Sequence, residues 1–195
     1  IRIENAGGKV ELDAPVAKEA TSVTETSFTA NWRSVSGAES YLLYVESTKN
    51  GNTTLAVDGL EVPPASWGMP YAKVAGLDAD AFHSYYVKAK AGDAISEASN
   101  KIDVVCMSTI EPTAATDVTA DGFTANWKAS PKAASYKVNV YRMTPTGREL
   151  IDTKTATENS CVFSGLKEDG AFWYAYDVTA LGEFNGNEYE SIASR

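Results

Sequence analysis

A single histidine, two cysteines and the absence of any long apolar run set the first limits on this 195-residue sequence. His83 is the only imidazole, so no Ser-His-Asp or Cys-His constellation can be drawn without invoking an unusual base, and catalysis is not expected. Cys106 and Cys161 are too few for a disulfide-built scaffold, and too few for a structural zinc site, which usually takes about four Cys/His ligands. Asp78 and Asp80 stand close to His83, yet the spacing lacks the Asp-x-Asp-x-Asp-Gly pattern of a calcium loop and reads as a solvated turn between strands. No glycine-rich phosphate loop follows a strand, and Gly7-Gly8 lies in a polar amino-terminal lead. No metal, nucleotide or other cofactor is therefore expected.

Positive charge is also scarce. The net charge of −9 divides into −5 for residues 1–107, with 9 basic and 14 acidic side chains, and −4 for residues 108–195, with 8 and 12. Neither half offers a basic face by this count, which argues against nucleic acid and anionic membrane surfaces as partners. No apolar stretch approaches the roughly 20 residues of a membrane span, so no membrane insertion is expected in this segment. The sequence opens at Ile1 without a basic and apolar signal segment, and it reads as an excerpt of a longer, processed or truncated chain.

What is present is a globular balance, 44% hydrophobic and 22% charged, and an internal repeat. Ser27-Phe28-Thr29-Ala30-Asn31-Trp32 returns as Gly122-Phe123-Thr124-Ala125-Asn126-Trp127, an offset of 95, and each Trp is followed nine residues on by a tyrosine, Tyr41 or Tyr136. Phe28, Ala30 and Trp32 alternate with Thr29 and Asn31, and Tyr41, Leu43 and Val45 alternate with Leu42 and Tyr44. This period of two, rich in aromatic and branched residues, predicts strands. Further along, the offset becomes 89, matching Gly76-Leu77 with Gly165-Leu166, Tyr85 with Tyr174 and Ala91 with Ala180. The first copy then holds six extra residues, assigned to the stretch from Glu61 to Pro70. No segment keeps a helical period, and Asn50-Gly51, Thr146-Gly147 and Asn185-Gly186-Asn187 punctuate short strands.

A Trp on the second strand, a Tyr nine residues later and a Gly-Leu turn leading to a Tyr together make the sequence resemble fibronectin type III domains over nearly its whole length. The resemblance implies an all-β chain of two tandem seven-stranded immunoglobulin-like sandwiches. A lead segment would occupy 1–14, the first domain 15–107 and the second 108–195. It makes Trp32 and Trp127 core anchors, joined by Phe28, Tyr41, Leu77 and Tyr85 in one copy and by Phe123, Tyr136, Leu166 and Tyr174 in the other. It also nominates Tyr85 and Tyr174 for the tyrosine corner, whose hydroxyl bonds back to the chain near Leu77 or Leu166. The family commonly sets that Tyr six residues after the Leu, whereas here the spacing is eight in both copies. The phrase Phe-Thr-Ala-Asn-Trp resembles the variety of the domain in multi-domain secreted or surface proteins of Bacteroidetes-type bacteria, which implies an extracellular, cell-surface or periplasmic setting. The Arg-Gly-Asp and Trp-Ser-x-Trp-Ser patterns of specialised family members are absent.

The remaining candidates for ligand binding are loop aromatics: Trp67 in the Glu61–Pro70 insertion, and Phe184 and Tyr189 between the last strands of the second copy. For Trp67 the competing expectation is that it folds over an open sheet edge and shields it. The expected role is a non-catalytic spacer and interaction module, a monomer within a larger chain, positioning a neighbouring domain or mediating adhesion to a protein or glycan partner. The alternative is an ancillary carbohydrate- or protein-ligand-binding module of a surface polysaccharide-utilisation system. A short junction stiffened by Pro112 predicts a semi-rigid rod. Ala193-Ser194-Arg195 aligns with Ala98-Ser99-Asn100, so the last strand is expected to lack its second half and the polypeptide to continue beyond Arg195.

Overall fold

The chain, described over residues 3–4, 10–167 and 173–194 in a computed structural model, contains strands and turns and no helix among those residues. It divides into two compact units, Ile1–Cys106 and Met107–Arg195. In the first unit a small pair, β1 (Ile3–Glu4) and β2 (Val10–Glu11), precedes Leu12, which packs on the core. The sandwich follows with β3 (Val16–Thr21), β4 (Ser27–Arg33), β5 (Ser40–Lys49), β6 (Asn52–Val62), β7 (Tyr71–Ala75), β8 (Phe82–Ala91), β9 (Ala94–Ile95) and β10 (Ile102–Val104). One antiparallel sheet has the order β3-β4-β7; the other has β10-β8-β5-β6, with β9 also on β8.

The second unit repeats this plan. It comprises β11 (Pro112–Thr116), β12 (Gly122–Trp127), β13 (Ser135–Thr144), β14 (Gly147–Ala156), β15 (Ser160–Ser164), β16 (Tyr174–Phe184) and β17 (Asn187–Glu190). Its sheets run β11-β12-β15 and β14-β13-β16-β17.

The repeated hexapeptide has a physical reason at each position. Phe28, Ala30 and Trp32 point inward from β4 and are buried, and Trp32 meets Tyr41 edge-on, ring centres 5.6 Å apart. Trp127 and Tyr136 repeat that contact at 5.2 Å. Asn31 faces outward, and its amide donates to the Glu19 and Thr29 carbonyls and to Thr21 Oγ1, clamping a β-bulge between Lys18 and Thr21. Asn126 does the same to Ala114, Thr124 and Thr116. Asn50-Gly51 and Asn185-Gly186 both adopt positive φ, 51° and 76°, then 51° and 78°, the geometry of two-residue hairpin turns.

The register between the copies differs from the sequence alignment after the Gly-Leu turn. Tyr85 corresponds to Tyr176 rather than Tyr174. Each is the hydroxyl that reaches across to the first two strands, Tyr85 to the Lys18 and Asn31 carbonyls and Tyr176 to those of Thr113 and Asn126. Likewise Ala89, not Ala91, matches Ala180, since each donates its amide to a serine hydroxyl, Ser96 or Ser191. The cause is two additional residues between Leu166 and β16, so the offset is 91 along β8 and β16. A longer final hairpin restores 95 by Ser99 and Ser194, whose hydroxyls accept from Val87 N and Val178 N.

Candidate functional site

His83 is the natural starting point for chemistry, and it is not in a solvated turn: it sits on β8, 4% exposed, facing the end of the core. Its Nε2 lies 3.0 Å from the Asp78 carbonyl, which can only accept, so Nε2 carries the hydrogen. In the neutral ring Nδ1 is then an acceptor, and Ser47 Oγ donates to it at 2.8 Å. This resembles the serine-histidine pair of a catalytic triad. Three amides of the preceding turn are already engaged, however: Leu77 N on Thr26 O, Ala81 N on Asp78 O, and Asp80 N on Asp78 Oδ1. Those three amides are therefore not available as oxyanion donors to the nearby cavity of about 490 Å³. Lys49 closes the rim, 2.8 Å from Asp78 and 3.2 Å from Asp80. The Lys49 bond holds the Asp78 carboxyl below its ordinary value, with help from the Asp80 amide.

A second cavity, about 260 Å³ in the other unit, is lined by Val118, Phe123, Leu166, Tyr174 and Tyr176. Both of its phenols are committed to backbone carbonyls, Tyr174 to Lys167 and Tyr176 to Thr113 and Asn126. Among the described residues no group of three or more His, Cys, Asp or Glu is placed to hold a metal ion. Cys106 and Cys161 are both free thiols, half-buried, and burial pushes the Cys161 thiol up against the opposing pull of Lys154.

The loop aromatics separate clearly. Trp67 is 94% exposed, so it does not fold over a sheet edge. Its loop is anchored at both ends, by the buried Val62 and by the buried Pro70, whose carbonyl accepts from Trp32 N at 3.2 Å. Pro63, Pro64 and Pro70 restrict the backbone between those anchors. Phe184, by contrast, ends β16 only 8% exposed, and Tyr189 is half-buried on β17, because the hairpin between those strands shrinks to Asn185-Gly186. Neither is a displayed loop aromatic. Trp173 and Tyr71, 67% and 58% exposed, were not singled out by the sequence.

The outer faces distinguish the two copies more than the cores do. On the larger sheets, Tyr44 and Tyr86 stack at 4.9 Å in the first unit, where the second has Asn139 donating to Asp177 at 2.8 Å. Asp177 is buried there, with Arg148 at 3.5 Å and the Arg148 guanidinium over the Tyr141 ring. On the three-stranded sheets, β3, β4 and β7 bear Lys18, Arg33 and Lys73 against a single carboxylate, Glu19, whereas β11, β12 and β15 bear no charged residue. A locally basic face therefore exists in a half whose net charge is negative, a correction to the reading from charge totals.

The fold has a known counterpart. The chain is similar to a two fibronectin type-III domain segment from chicken tenascin, with a TM-score of 0.58 and 21% identity over 93% of this chain and 97% of that one. The architecture is that of tandem fibronectin type III sandwiches. No protein-family model and no curated protein matches the sequence.

Proposed function

We propose that this chain is a non-catalytic interaction module that displays binding residues and positions neighbouring parts of a larger, extracellular or surface-exposed protein. The reading is carried by the Pro-restricted loop that holds Trp67 in solvent at 94% exposure while the interiors of both sandwiches are filled by their own side chains. Leaving an indole uncovered forfeits about 2 kcal/mol or more of burial, which a partner covering the ring would recover. Sandwiches of this fold commonly serve as non-catalytic spacers or interaction modules. No described helix is long and apolar enough to cross a membrane.

Adhesion to a protein partner is one form of this role. An ancillary glycan-binding function is the second reading, favoured by the exposed indole of Trp67, four residues before the exposed Tyr71, since sugar rings stack their C–H faces on such surfaces. Intrinsic tryptophan fluorescence titrated against a panel of glycans distinguishes the two. A saturable change that disappears in Trp67→Ala supports glycan binding, and no change with any glycan leaves protein adhesion.

A further inference from the structure

We infer that the outer face of the β3-β4-β7 sheet, together with Trp67, is a binding face for a carboxylate-bearing polysaccharide. This rests on the glycan-binding reading above and specifies the kind of glycan. Three observations converge on it.

The first is placement. Ala17, Phe28, Ala30, Trp32, Ala72 and Val74 are the buried, inward residues of these strands. Alternation then turns Lys18, Asn31, Arg33, Tyr71 and Lys73 to the opposite face. Lys18 and Tyr71 both pair with Asn31, Arg33 pairs with Val16 and Lys73 with Thr29, so the five residues form one contiguous patch across the sheet. From strand spacing and rise, the three cations lie roughly 8–14 Å apart at Cα, a span that a linear polyanion covers with successive charges.

The second is the state of those cations. Lys18, Arg33 and Lys73 form no ion pair among the described residues, although the chain has an excess of acid. The lysines on or beside the opposite sheet of the same unit are all engaged: Lys49, Lys90 and Lys101 with carboxylates and Lys88 over the Tyr44 ring. The sole carboxylate of the β3-β4-β7 sheet, Glu19, is set in the bulge of β3. Three uncompensated charges of one sign on a flat face raise the local concentration of an anion and leave every donor available to it.

The third is what the face lacks. β4 is hydrogen-bonded to β3 on one edge and to β7 on the other, so a chain laid across the face meets side chains, the unpaired ladder edges lying only along the outer sides of β3 and β7. An acidic peptide laid across this face, rather than added at an outer edge, would lack the main-chain pairing that gives strand addition its affinity. A sugar polymer needs none of it: carboxylates meet Lys18, Arg33 and Lys73, and a ring stacks on Trp67, four residues ahead of Tyr71 in the loop leading into β7. The equivalent face of the second unit carries no charge on its strands, and Glu111 and Lys128 beside it neutralise each other at 2.7 Å, so the site belongs to the first sandwich alone.

The test is affinity electrophoresis of the intact chain in gels containing polygalacturonate, neutral galactan or poly-glutamate, with calorimetry for any ligand that retards it. Polygalacturonate is expected to bind, more weakly as salt screens the contact. The triple variant Lys18→Gln, Arg33→Gln, Lys73→Gln should weaken it by about tenfold or more, and Trp67→Ala severalfold, with circular dichroism unchanged because all four side chains are exposed or half-exposed. Galactan binding that needs Trp67 but is untouched by the triple variant would overturn this inference and leave the general glycan reading standing. Poly-glutamate binding as tight as polygalacturonate and indifferent to Trp67 would mean an acidic polypeptide instead. Binding of no polysaccharide would end both the inference and the reading on which it rests.

Discussion

His83 and Tyr174 occupy the same place in their two sandwiches: each lies on the strand after the Gly-Leu turn and reaches back to the carbonyl of the residue following the leucine. His83 Nε2 meets Asp78 O at 3.0 Å, and the Tyr174 hydroxyl donates to Lys167 O at 2.9 Å. Tyr174 thus makes the tyrosine-corner bond expected of it, near Leu166, whereas in the first unit a histidine replaces the tyrosine. Tyr85, the residue nominated from sequence, is fully buried and bonds across to Lys18 and Asn31. Replacing His83 by Ala strands the Ser47 hydroxyl and the Asp78 carbonyl. The expected cost is about 1–3 kcal/mol in urea unfolding, and Tyr174→Phe, at a more exposed bond, should cost less. Equal and negligible effects would remove the corner role.

The two buried tryptophans carry the next prediction. Trp32 and Trp127 are 0% and 1% exposed, and neither indole N–H has a hydrogen-bond partner. Truncation to Ala should destabilise the affected unit by about 3–5 kcal/mol. Phe at either position should cost clearly less, because it keeps most of the volume and removes a buried donor with no acceptor. A loss under about 1 kcal/mol for either Ala variant in denaturant melts would contradict the packing described.

Alkaline pH should weaken the first unit through Tyr85. Burial pushes its phenol up, an effect larger than the stabilisation of the phenolate by the Asn31 amide. A raised value in the folded state means that the contribution is complete below about pH 10, the unfolded value, and is lost as pH rises from there through the folded value. Tyr85→Phe should lower stability at neutral pH by about 1–2 kcal/mol and flatten the alkaline limb of the stability curve relative to wild type. An unchanged limb would assign it to other groups.

Thiol chemistry offers a quick check of β15. Cys161 packs against the second core in phase with Phe163, and its raised thiol value leaves little thiolate at neutral pH. Labelling of the folded protein should be slow there, and intact mass should report two free thiols. Rapid modification of Cys161, or a mass two protons short, would contradict this placement.

Much of this fold is legible in the sequence because the inward positions alternate without interruption: Phe28-Ala30-Trp32 and Tyr41-Leu43-Val45 identify two strands and their phase before any partner is known. The shift from 89 to 91 was hidden by chemistry of the same kind at both positions. Tyr174 and Tyr176 are two residues apart, so residue identity alone points to the nearer one, and only the hydroxyls' partners distinguish them. Trp67 is legible as a loop aromatic because prolines flank it, whereas the burial of Phe184 is not legible, because an Asn-Gly pair can close a hairpin with no loop left over. The basic face was invisible for another reason. Lys18, Arg33 and Lys73 are separated by up to 55 positions in the chain and come together only through the pairing of three strands, while charge totals average them against acids on other surfaces.

The binding account is tested most directly by mapping amide and indole resonances of the isotope-labelled chain during titration with trigalacturonate. The account predicts that shifts concentrate on Lys18, Asn31, Arg33, Tyr71 and Lys73 and on the Trp67 indole N–H, while the resonances of β11, β12 and β15 stay in place. Shifts centred on the Tyr44–Tyr86 face or on the second sandwich, with the Trp67 indole unmoved, would contradict it.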